Sequence, residues 1–350
     1  MPERPPPDLL RDHTTLRLGG PAREWVRATS EAELVAAVAE ADAAGVPVLV
    51  LGGGSNLLVA DAGFDGRVVE VATAGVRADG DACGGELVTV AAGEDWDGLV
   101  AQAVARGWSG IEALSGIPGR VGATPVQNVG AYGQEVSQTV ARVRTWDRHD
   151  RAQRSFAAAD CGFGYRDSRF KAEPGRYVVL EVTFQLRRGD LGEPVTYAEL
   201  ARRLGVAVGE RAPLAEVREA VLALRGGKGM VLDDEDPDTW SAGSFFTNPF
   251  LTESQAAALP ADAPRWPQPD GTTKTSAAWL IDRAGFGRGY TSETAGPRVA
   301  LSTKHTLALT NRGGATAEEL LALAREVRDG VRQAYGVTLV NEPVLVGCSL

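Results

Sequence analysis

The feature that most constrains this chain is a 23-residue stretch, residues 113–135, with five glycines, two prolines and two charged side chains. Loops of this length inside a compact domain are uncommon and are usually functional. A second uncharged glycine cluster, GGGSN at 52–56, follows an apolar run at 46–51 that predicts a buried strand. Bare glycine backbone lets a diphosphate approach main-chain N–H groups. Either cluster alone could be a tight turn, but together they favour a bulky nucleotide cofactor.

The glycine spacing does not match the two commonest nucleotide-binding motifs. A Rossmann fingerprint needs G-x-G-x-x-G at the start of a helix. Here Leu57 occupies the third glycine position, and residues 57–61 predict another extended segment. A Walker motif also fails, because G-x-x-x-x-G does not precede Lys228. We therefore expect neither a standard Rossmann site nor a P-loop.

Composition narrows the class of partner. The chain has 36 basic and 46 acidic side chains, and this balance argues against non-specific nucleic-acid binding. The start, MPERPPP, has no apolar segment of a secretory signal, and the longest charge-free stretch, residues 43–60, contains the glycine cluster, which does not suit a membrane span. Cys83, Cys161 and Cys348 form no CxxC pair. We expect a cytoplasmic protein with no membrane segment and no protein-bound metal.

Capping signals and hydrophobic periodicity predict alternating helices and strands. Capping boxes at Ser30/Glu33, Thr252/Gln255 and Thr316/Glu319 each predict the start of a helix. Other predicted helices cover residues 96–106, 213–224 and 276–284, and predicted strands cover residues 46–51, 68–71, 87–91, 140–146, 177–186 and 337–340. The acidic run DDEDPD at 233–238 predicts a solvated loop, with metal binding as a minor alternative.

Five segments, taken in order, resemble one enzyme family. They are PVLVLGGGSN at 47–56, SGIPGRVGATPVQNVGAYG at 115–133, FGYRDS at 163–168, AGSFFTNP at 242–249 and NEP at 341–343. With this order and spacing the chain resembles UDP-N-acetylmuramate dehydrogenase, also called UDP-N-acetylenolpyruvoylglucosamine reductase, in its tyrosine-loop form. The resemblance covers nearly the whole chain, and five ordered motifs are far more specific than a single glycine motif.

The resemblance implies an α+β architecture with a non-Rossmann FAD-binding fold of the vanillyl-alcohol-oxidase (PCMH-like) type. It implies two FAD-binding subdomains, residues 1–66 and 67–212, and an α+β substrate-binding domain, residues 213–350. The last strand, about residues 337–350, would return toward the flavin site. It further implies non-covalent FAD, NADPH as reductant, a monomeric state, and the enolpyruvyl ether of UDP-N-acetylglucosamine as the small-molecule substrate.

The implied reaction yields UDP-N-acetylmuramate for peptidoglycan, with hydride from reduced FAD to C3 and a proton to C2. Hydride addition next to a carboxylate builds negative charge, which fixed cations or acids must stabilise. Arg166 matches the family's catalytic arginine, Ser244 the proton donor, and Glu342 the acid that supports the enolate. Without the motifs, these residues would be interpreted as a surface ion-pair partner, a turn serine and a polar strand end.

The resemblance also assigns ligand contacts. Cofactor-binding residues are Gly53, Gly54, Ser55, Asn56, Leu57, Pro118, Gly119, Gly122, Ala123, Thr124, Pro125, Gln127, Asn128, Gly130, Ala131 and Val179. Substrate-binding residues are Tyr132, Tyr197, Lys228, Asn248 and His305. Tyr197 would close over the substrate diphosphate, which Lys228 would also contact. For His305, a structural role is an alternative of at least equal weight.

Two other hypotheses stay open. The first is a flavin oxidase with the same cofactor fold, many of which tether flavin through histidine. There is no histidine between His13 and His149, which excludes a histidyl tether from the glycine-rich region. The second is a non-catalytic flavin- or nucleotide-binding module, which predicts loss of the three catalytic residues, yet all three are present.

Overall fold

The computed structural model describes residues 8–80 and 85–350. The predictions for the proline-rich start and for Cys83 lie outside these residues. The chain divides into two compact units. The first, called the sheet unit, contains the described residues of 23–53 and 65–227, and the second, called the C-terminal unit, contains those of 1–22, 54–64 and 228–350.

The described residues form eight α-helices, and most begin at a side-chain cap. They are α1 Glu31–Ala43, α2 Trp96–Ala105, α3 Arg169–Ala172, α4 Ala198–Leu204, α5 Leu214–Gly227, α6 Glu253–Ala258, α7 Ala277–Arg283 and α8 Ala317–Tyr335. All three predicted capping boxes are present, at the starts of α1, α6 and α8. These confirmations reflect local chemistry, because a capping box satisfies N–H groups within one turn of the helix.

The strands are short, apart from those of one central sheet. They are β1 Ala22–Ala28, β2 Val48–Leu51, β3 Leu57–Val59, β4 Phe64–Val71, β5 Val76–Gly80, β6 Gly85–Ala91, β7 Trp108–Ser109, β8 Gly130–Ala131, β9 Gln134–Glu135, β10 Val140–Asp147, β11 Ala152–Ala157, β12 Tyr177–Arg188, β13 Phe250–Leu251, β14 Trp266–Pro267, β15 Thr273–Lys274, β16 Val299–Leu301, β17 Leu309–Asn311 and β18 Val344–Val346. The extended segment predicted at 57–61 is confirmed as β3. Strands β1, β5, β7 to β9, β11 and β13 to β17 and helices α3 and α4 were not predicted.

The sheet unit is built on a six-stranded sheet of order β11-β10-β12-β6-β5, with β7 paired to β12. Neighbouring strands along this path are antiparallel. A smaller sheet has the order β1-β4-β2, and β2 runs parallel to β4. Apolar side chains of α2 pack on the larger sheet, where the rings of Trp96 and Phe184 lie 5.8 Å apart and both are fully buried.

The C-terminal unit has its core around α7 and α8. One face of α8 buries Leu320, Ala324, Val327 and Val331 at helical spacing. Asp61 caps the same helix from outside by accepting from the N–H of Ala317 at 2.8 Å. Three small pairings complete the unit: the hairpin β16–β17, the parallel pair β3–β18, and the sheet β13-β15-β14. No helix in the described ranges is long and apolar enough to cross a membrane.

The strand predicted over residues 337–340 is wrong. The predicted alternation is present, since Val337 and Leu339 are buried while Val340 is 63% exposed. In the described structure, however, the Val340 carbonyl accepts from the Thr247 N–H at 3.0 Å as part of an isolated β-bridge between Phe246 and Asn341, and residues 337–340 form no strand ladder. The strand forms instead at β18, where β3 provides a partner. Alternation predicts which side chains are buried, but a strand also needs a neighbour.

The solvated loop predicted for residues 233–238 is wrong at its end. Asp238 is only 5% exposed, and it accepts from the Thr303 N–H at 2.9 Å and from Arg312 at 2.5 Å. Asp236 forms an ion pair with Lys304. Burial alone would raise the pKa of Asp238, but the hydrogen bonds from Thr303 and Arg312 lower it below its ordinary value. Partners remote in sequence therefore make burial of this carboxylate favourable.

Candidate active site

The two glycine clusters meet within the sheet unit. A Cβ built on Gly53 would lie 2.6 Å from the Cα of Gly119, and one built on Gly122 would lie 2.5 Å from the Cβ of Ala92. Real Cβ atoms do not approach other heavy atoms so closely. The strand end at Gly53 and the long glycine stretch are thus in main-chain contact, as expected for loops that act together.

Arg166 lies at the centre of a tight turn in the sheet unit. The turn is closed by two backbone hydrogen bonds between Gly164 and Asp167, at 3.0 and 3.3 Å. Arg166 itself has φ +54°, a left-handed conformation that costs a non-glycine residue about 1 kcal/mol or more. Its Nη2 donates to the carbonyl of Gly130 at 2.7 Å, and its guanidinium lies 5.3 Å from the centre of the Tyr165 ring. The predicted catalytic cation therefore contacts the predicted cofactor loop.

Asn128 binds protein groups with both ends of its amide. Its Nδ2 donates to Glu135 and to the carbonyl of Gly164, each at 2.9 Å, and its Oδ1 accepts from the Ser137 N–H at 3.1 Å. The side chain is fully buried. Asn128 therefore joins the glycine stretch to the Arg166 turn. The sequence predicts that Asn128 binds the cofactor, and such a contact would come from its main chain, because its side-chain amide binds protein groups.

Tyr132 and Tyr197 are in edge-to-face contact in the sheet unit, with ring centroids 5.4 Å apart. Tyr197 precedes α4 and is 46% exposed, whereas burial raises the pKa of Tyr132 to about 12. The segment before α4 also lies against Gly133, where a Cβ would be 2.2 Å from the Thr196 hydroxyl oxygen. Two residues predicted to bind substrate are thus adjacent, although the helix that follows Tyr197 was not predicted.

Ser244 and Glu342 are brought together in the C-terminal unit by the backbone of Phe245. The Phe245 N–H donates to the carbonyl of Leu307 at 2.8 Å, and its carbonyl accepts from the Glu342 N–H, also at 2.8 Å. The phenyl rings of Phe245 and Phe246 are fully buried and anchor this segment. Ser244 and Glu342 are both partly buried.

The glycine–serine–asparagine end of the first cluster lies beside Glu342 in the same unit. Asn56 donates from Nδ2 to the Glu342 carbonyl at 3.4 Å, and its own carbonyl accepts from the Val344 N–H at 2.9 Å. Parallel pairing of β3 with β18 continues this contact. Asn56, predicted to bind the cofactor, and Glu342, predicted to be catalytic, are therefore neighbours, because β18 pairs with β3 directly after them.

The remaining substrate-binding candidates lie in turns of the C-terminal unit. Lys228 precedes Gly229, whose φ is +66° and whose added Cβ would lie 3.0 Å from the Asp238 carbonyl oxygen. His305 lies in the turn between β16 and β17, and its main-chain N–H donates to the Ser302 hydroxyl oxygen at 3.3 Å. Asn248 accepts from the N–H of Ala277 through Oδ1 at 2.9 Å, which caps α7. Asp238 thus lies beside Gly229, the neighbour of Lys228, and binds Thr303, which is two residues from His305. Nothing local in the sequence indicates these two contacts.

The glycine contacts indicate that the residues predicted to hold FAD fit such a group. Where Gly53 meets Gly119, only backbone can be present, which suits a diphosphate that binds main-chain groups. Thr124 bonds the carbonyl of Val121 and is buried, and Val179 is buried in β12.

Comparison with known proteins first defines the class. Residues 22–153 match the family model described as an FAD binding domain. Together with the glycine contacts, this match defines a flavoprotein whose cofactor is FAD.

The particular family follows from the rest of the chain. Residues 235–346 match the C-terminal domain of UDP-N-acetylenolpyruvoylglucosamine reductase. The chain is 60% identical to the reductase of that name from Cutibacterium acnes, over 96% of this chain and 89% of that protein. It is 56% identical to the reductase from Streptomyces avermitilis over 100% of both. The crystal structure of the reductase from Thermus caldophilus superposes with a TM-score of 0.63 at 26% identity, covering 97% of each chain.

The chain belongs to the UDP-N-acetylenolpyruvoylglucosamine reductase family. Membership confirms the resemblance inferred from the five motifs, the α+β fold with a non-Rossmann FAD-binding region and a C-terminal reductase domain, and the prediction that the chain is an oxidoreductase.

Proposed function

We propose that this protein reduces the enolpyruvyl ether of UDP-N-acetylglucosamine to UDP-N-acetylmuramate, with NADPH as reductant, in peptidoglycan precursor synthesis. The observation that carries the proposal is the contact between Arg166 and Gly130, because it joins a catalytic cation to a cofactor loop. We further propose that the enzyme is cytoplasmic and monomeric. The division of the chain at residues 66 and 212 remains part of this proposal.

The residues of the two glycine clusters would hold FAD, which when bound would supply hydride transfer between NADPH and C3 of the enolpyruvyl group. The protein's own residues manage charge and protons. Arg166 neutralises the substrate carboxylate, on which negative charge accumulates, and a planar guanidinium suits bidentate contact with it. Ser244 gives its hydroxyl proton to C2. Glu342 supports the enolate by donating a hydrogen bond, which requires that its carboxyl group carry or share a proton.

Substrate recognition is assigned to a second set of residues. Tyr197 and Lys228 contact the diphosphate, and the edge contact with Tyr132 supports this role for Tyr197 because it holds the exposed ring in one orientation. Asn248 and His305 complete the set. The cap that Asn248 provides to α7 supports a fixed position for its amide.

An anaerobic absorbance experiment tests the proposal. Flavin bands of the purified protein should bleach with NADPH and return on addition of the UDP-linked enolpyruvyl sugar. UDP-N-acetylglucosamine, which lacks the enolpyruvyl group, is the matched control and should leave the bands bleached. A protein that binds no FAD would contradict the whole proposal. Reoxidation by air but not by the sugar would favour the oxidase alternative.

A further inference from the structure

The conformation of Arg166 requires support from its neighbours. Its φ of +54° places it among the five non-glycine residues of the described chain with positive φ. Two backbone hydrogen bonds close the turn around Tyr165 and Arg166, but such bonds alone do not select an arginine for a position that glycine or asparagine occupies more readily.

Lys171 provides that support. Its Nζ donates to the main-chain carbonyl of Arg166 at 2.7 Å. Lys171 belongs to the short helix α3, whose N-cap Ser168 accepts from the Lys171 N–H at 3.3 Å. The Ser168 hydroxyl also donates to the Val126 carbonyl at 2.6 Å, which attaches α3 to the glycine stretch. The lysine therefore reaches back from an anchored helix to the turn.

The turn is fixed to the glycine stretch on its other side as well. Asn128 donates to the carbonyl of Gly164 at 2.9 Å, and the Arg166 guanidinium donates to the carbonyl of Gly130 at 2.7 Å. The backbone of Arg166 is thus held by Lys171 and its side chain by Gly130. Both contacts depend on the glycine stretch, since Gly130 belongs to it and the helix of Lys171 is bonded to it at Val126. Rotation of the Arg166 peptide would therefore redirect the guanidinium.

The choice of lysine at this position is chemically specific. The chain has 32 arginines but only four lysines, so lysine is the exception among its basic residues. An ammonium group is a compact point charge that can donate to one carbonyl from a flexible stem, whereas a guanidinium presents a rigid fork. A charge-assisted hydrogen bond to a carbonyl is stronger than a neutral one.

We propose that Lys171 is a positioning residue for Arg166, holding its left-handed backbone so that the guanidinium points toward the substrate carboxylate. This inference rests on the proposed function. It assigns to Lys171 no contact with substrate or cofactor. It predicts that loss of the ammonium group impairs the half-reaction that uses Arg166 and leaves reduction of the bound flavin by NADPH intact.

The test compares Lys171→Met with Arg169→Met by anaerobic stopped-flow absorbance. Arg169 is exposed on the same helix, so its replacement removes one charge without touching Arg166. Lys171→Met should slow reoxidation by the UDP-linked enolpyruvyl sugar about 10- to 100-fold, as expected for a misplaced catalytic group. Its reduction by NADPH, and both half-reactions of Arg169→Met, should stay at the wild-type rate.

A double-mutant cycle separates positioning from general damage. In the Arg166→Ala background, Lys171→Met should cause no further loss, because its effect passes through Arg166. Lys171→Arg should recover part of the wild-type rate. Lys171→Gln serves as a milder second variant if Lys171→Met does not keep its thermal transition, and it should show the same selective loss.

Three results would overturn the role of Lys171: a wild-type rate in Lys171→Met, an equal loss in both backgrounds, or an equal loss of both half-reactions. Failure of the proposed function has a different signature. In that case wild-type protein reduced by NADPH would not be reoxidised by the sugar, and both proposals would fall together.

Discussion

The backbone N–H of Glu342 donates to the carbonyl oxygen of Phe245, with the two atoms 2.8 Å apart. This bond places the residue after Ser244 directly against a residue near the end of the chain. A rigid backbone contact of this kind can hold two functional side chains in register better than a flexible loop. Separate roles for Ser244 and Glu342 in one reaction are therefore testable by substitution of either residue alone.

Ser244→Ala should separate the two half-reactions. Loss of a proton donor typically costs about 10²–10⁴-fold, and only the step that protonates C2 needs it. Stopped-flow absorbance should show normal flavin reduction by NADPH and severely slowed reoxidation by the enolpyruvyl substrate. Ser254→Ala, which changes an exposed serine on α6, is the control and should match wild type. Equal loss of both half-reactions in Ser244→Ala would refute its assignment as proton donor.

Arg166→Ala and Glu342→Gln should each lower substrate reduction far more than FAD affinity. The expected loss is about 10²–10³-fold, typical of removing one group that stabilises developing charge. FAD affinity, measured by fluorescence titration of the apoprotein, should change little. Unchanged turnover in either variant would remove that residue from the mechanism.

Gly53→Ala should loosen the contact between the two glycine clusters. The new methyl group would lie 2.6 Å from the Gly119 Cα, so the backbones must separate, at a cost of about 1–3 kcal/mol. We expect a lower thermal transition and weaker retention of FAD on gel filtration. Gly226→Ala, where a Cβ meets nothing within 4 Å, is the matched control. Equal behaviour of the two variants would contradict the close contact.

Asp238→Asn should change the pH dependence of stability. The folded-state pKa of Asp238 lies below its unfolded value of about 3.9, so its ionised form stabilises the fold above that pH. This contribution is lost as the pH falls through the lowered folded-state pKa. We expect Asp238→Asn to be less stable than wild type by about 1–3 kcal/mol at pH 7, and the difference to shrink below about pH 4.

Thermal unfolding from pH 3 to pH 8 measures this difference. Glu235→Gln, an exposed carboxylate of the same acidic run, is the control and should follow the wild-type curve within about 0.5 kcal/mol. If the difference in unfolding free energy between wild type and Asp238→Asn stays constant over the whole pH range, the ionisation of Asp238 does not contribute to stability.

Local chemistry explains what could be predicted from the sequence. Capping boxes at the starts of α1, α6 and α8 are satisfied within one helical turn, and the strands of the central sheet have strong apolar patterns. The five motifs were enough to identify the family, because each contains several specified residues in a set order. Assignments of Arg166, Ser244 and Glu342 to separate roles came with that resemblance and remain to be tested.

What only the tertiary structure decided depends on partners that lie far away in the sequence. Residues 337–340 alternate like a strand but have no ladder, whereas β18 forms because β3 lies beside it. Asp238 is buried because Thr303 and Arg312 supply donors, and Arg166 is held in a left-handed turn that Lys171 contacts. Periodicity and caps act over a few residues, but burial of charge and pairing of strands depend on groups that only folding brings into contact.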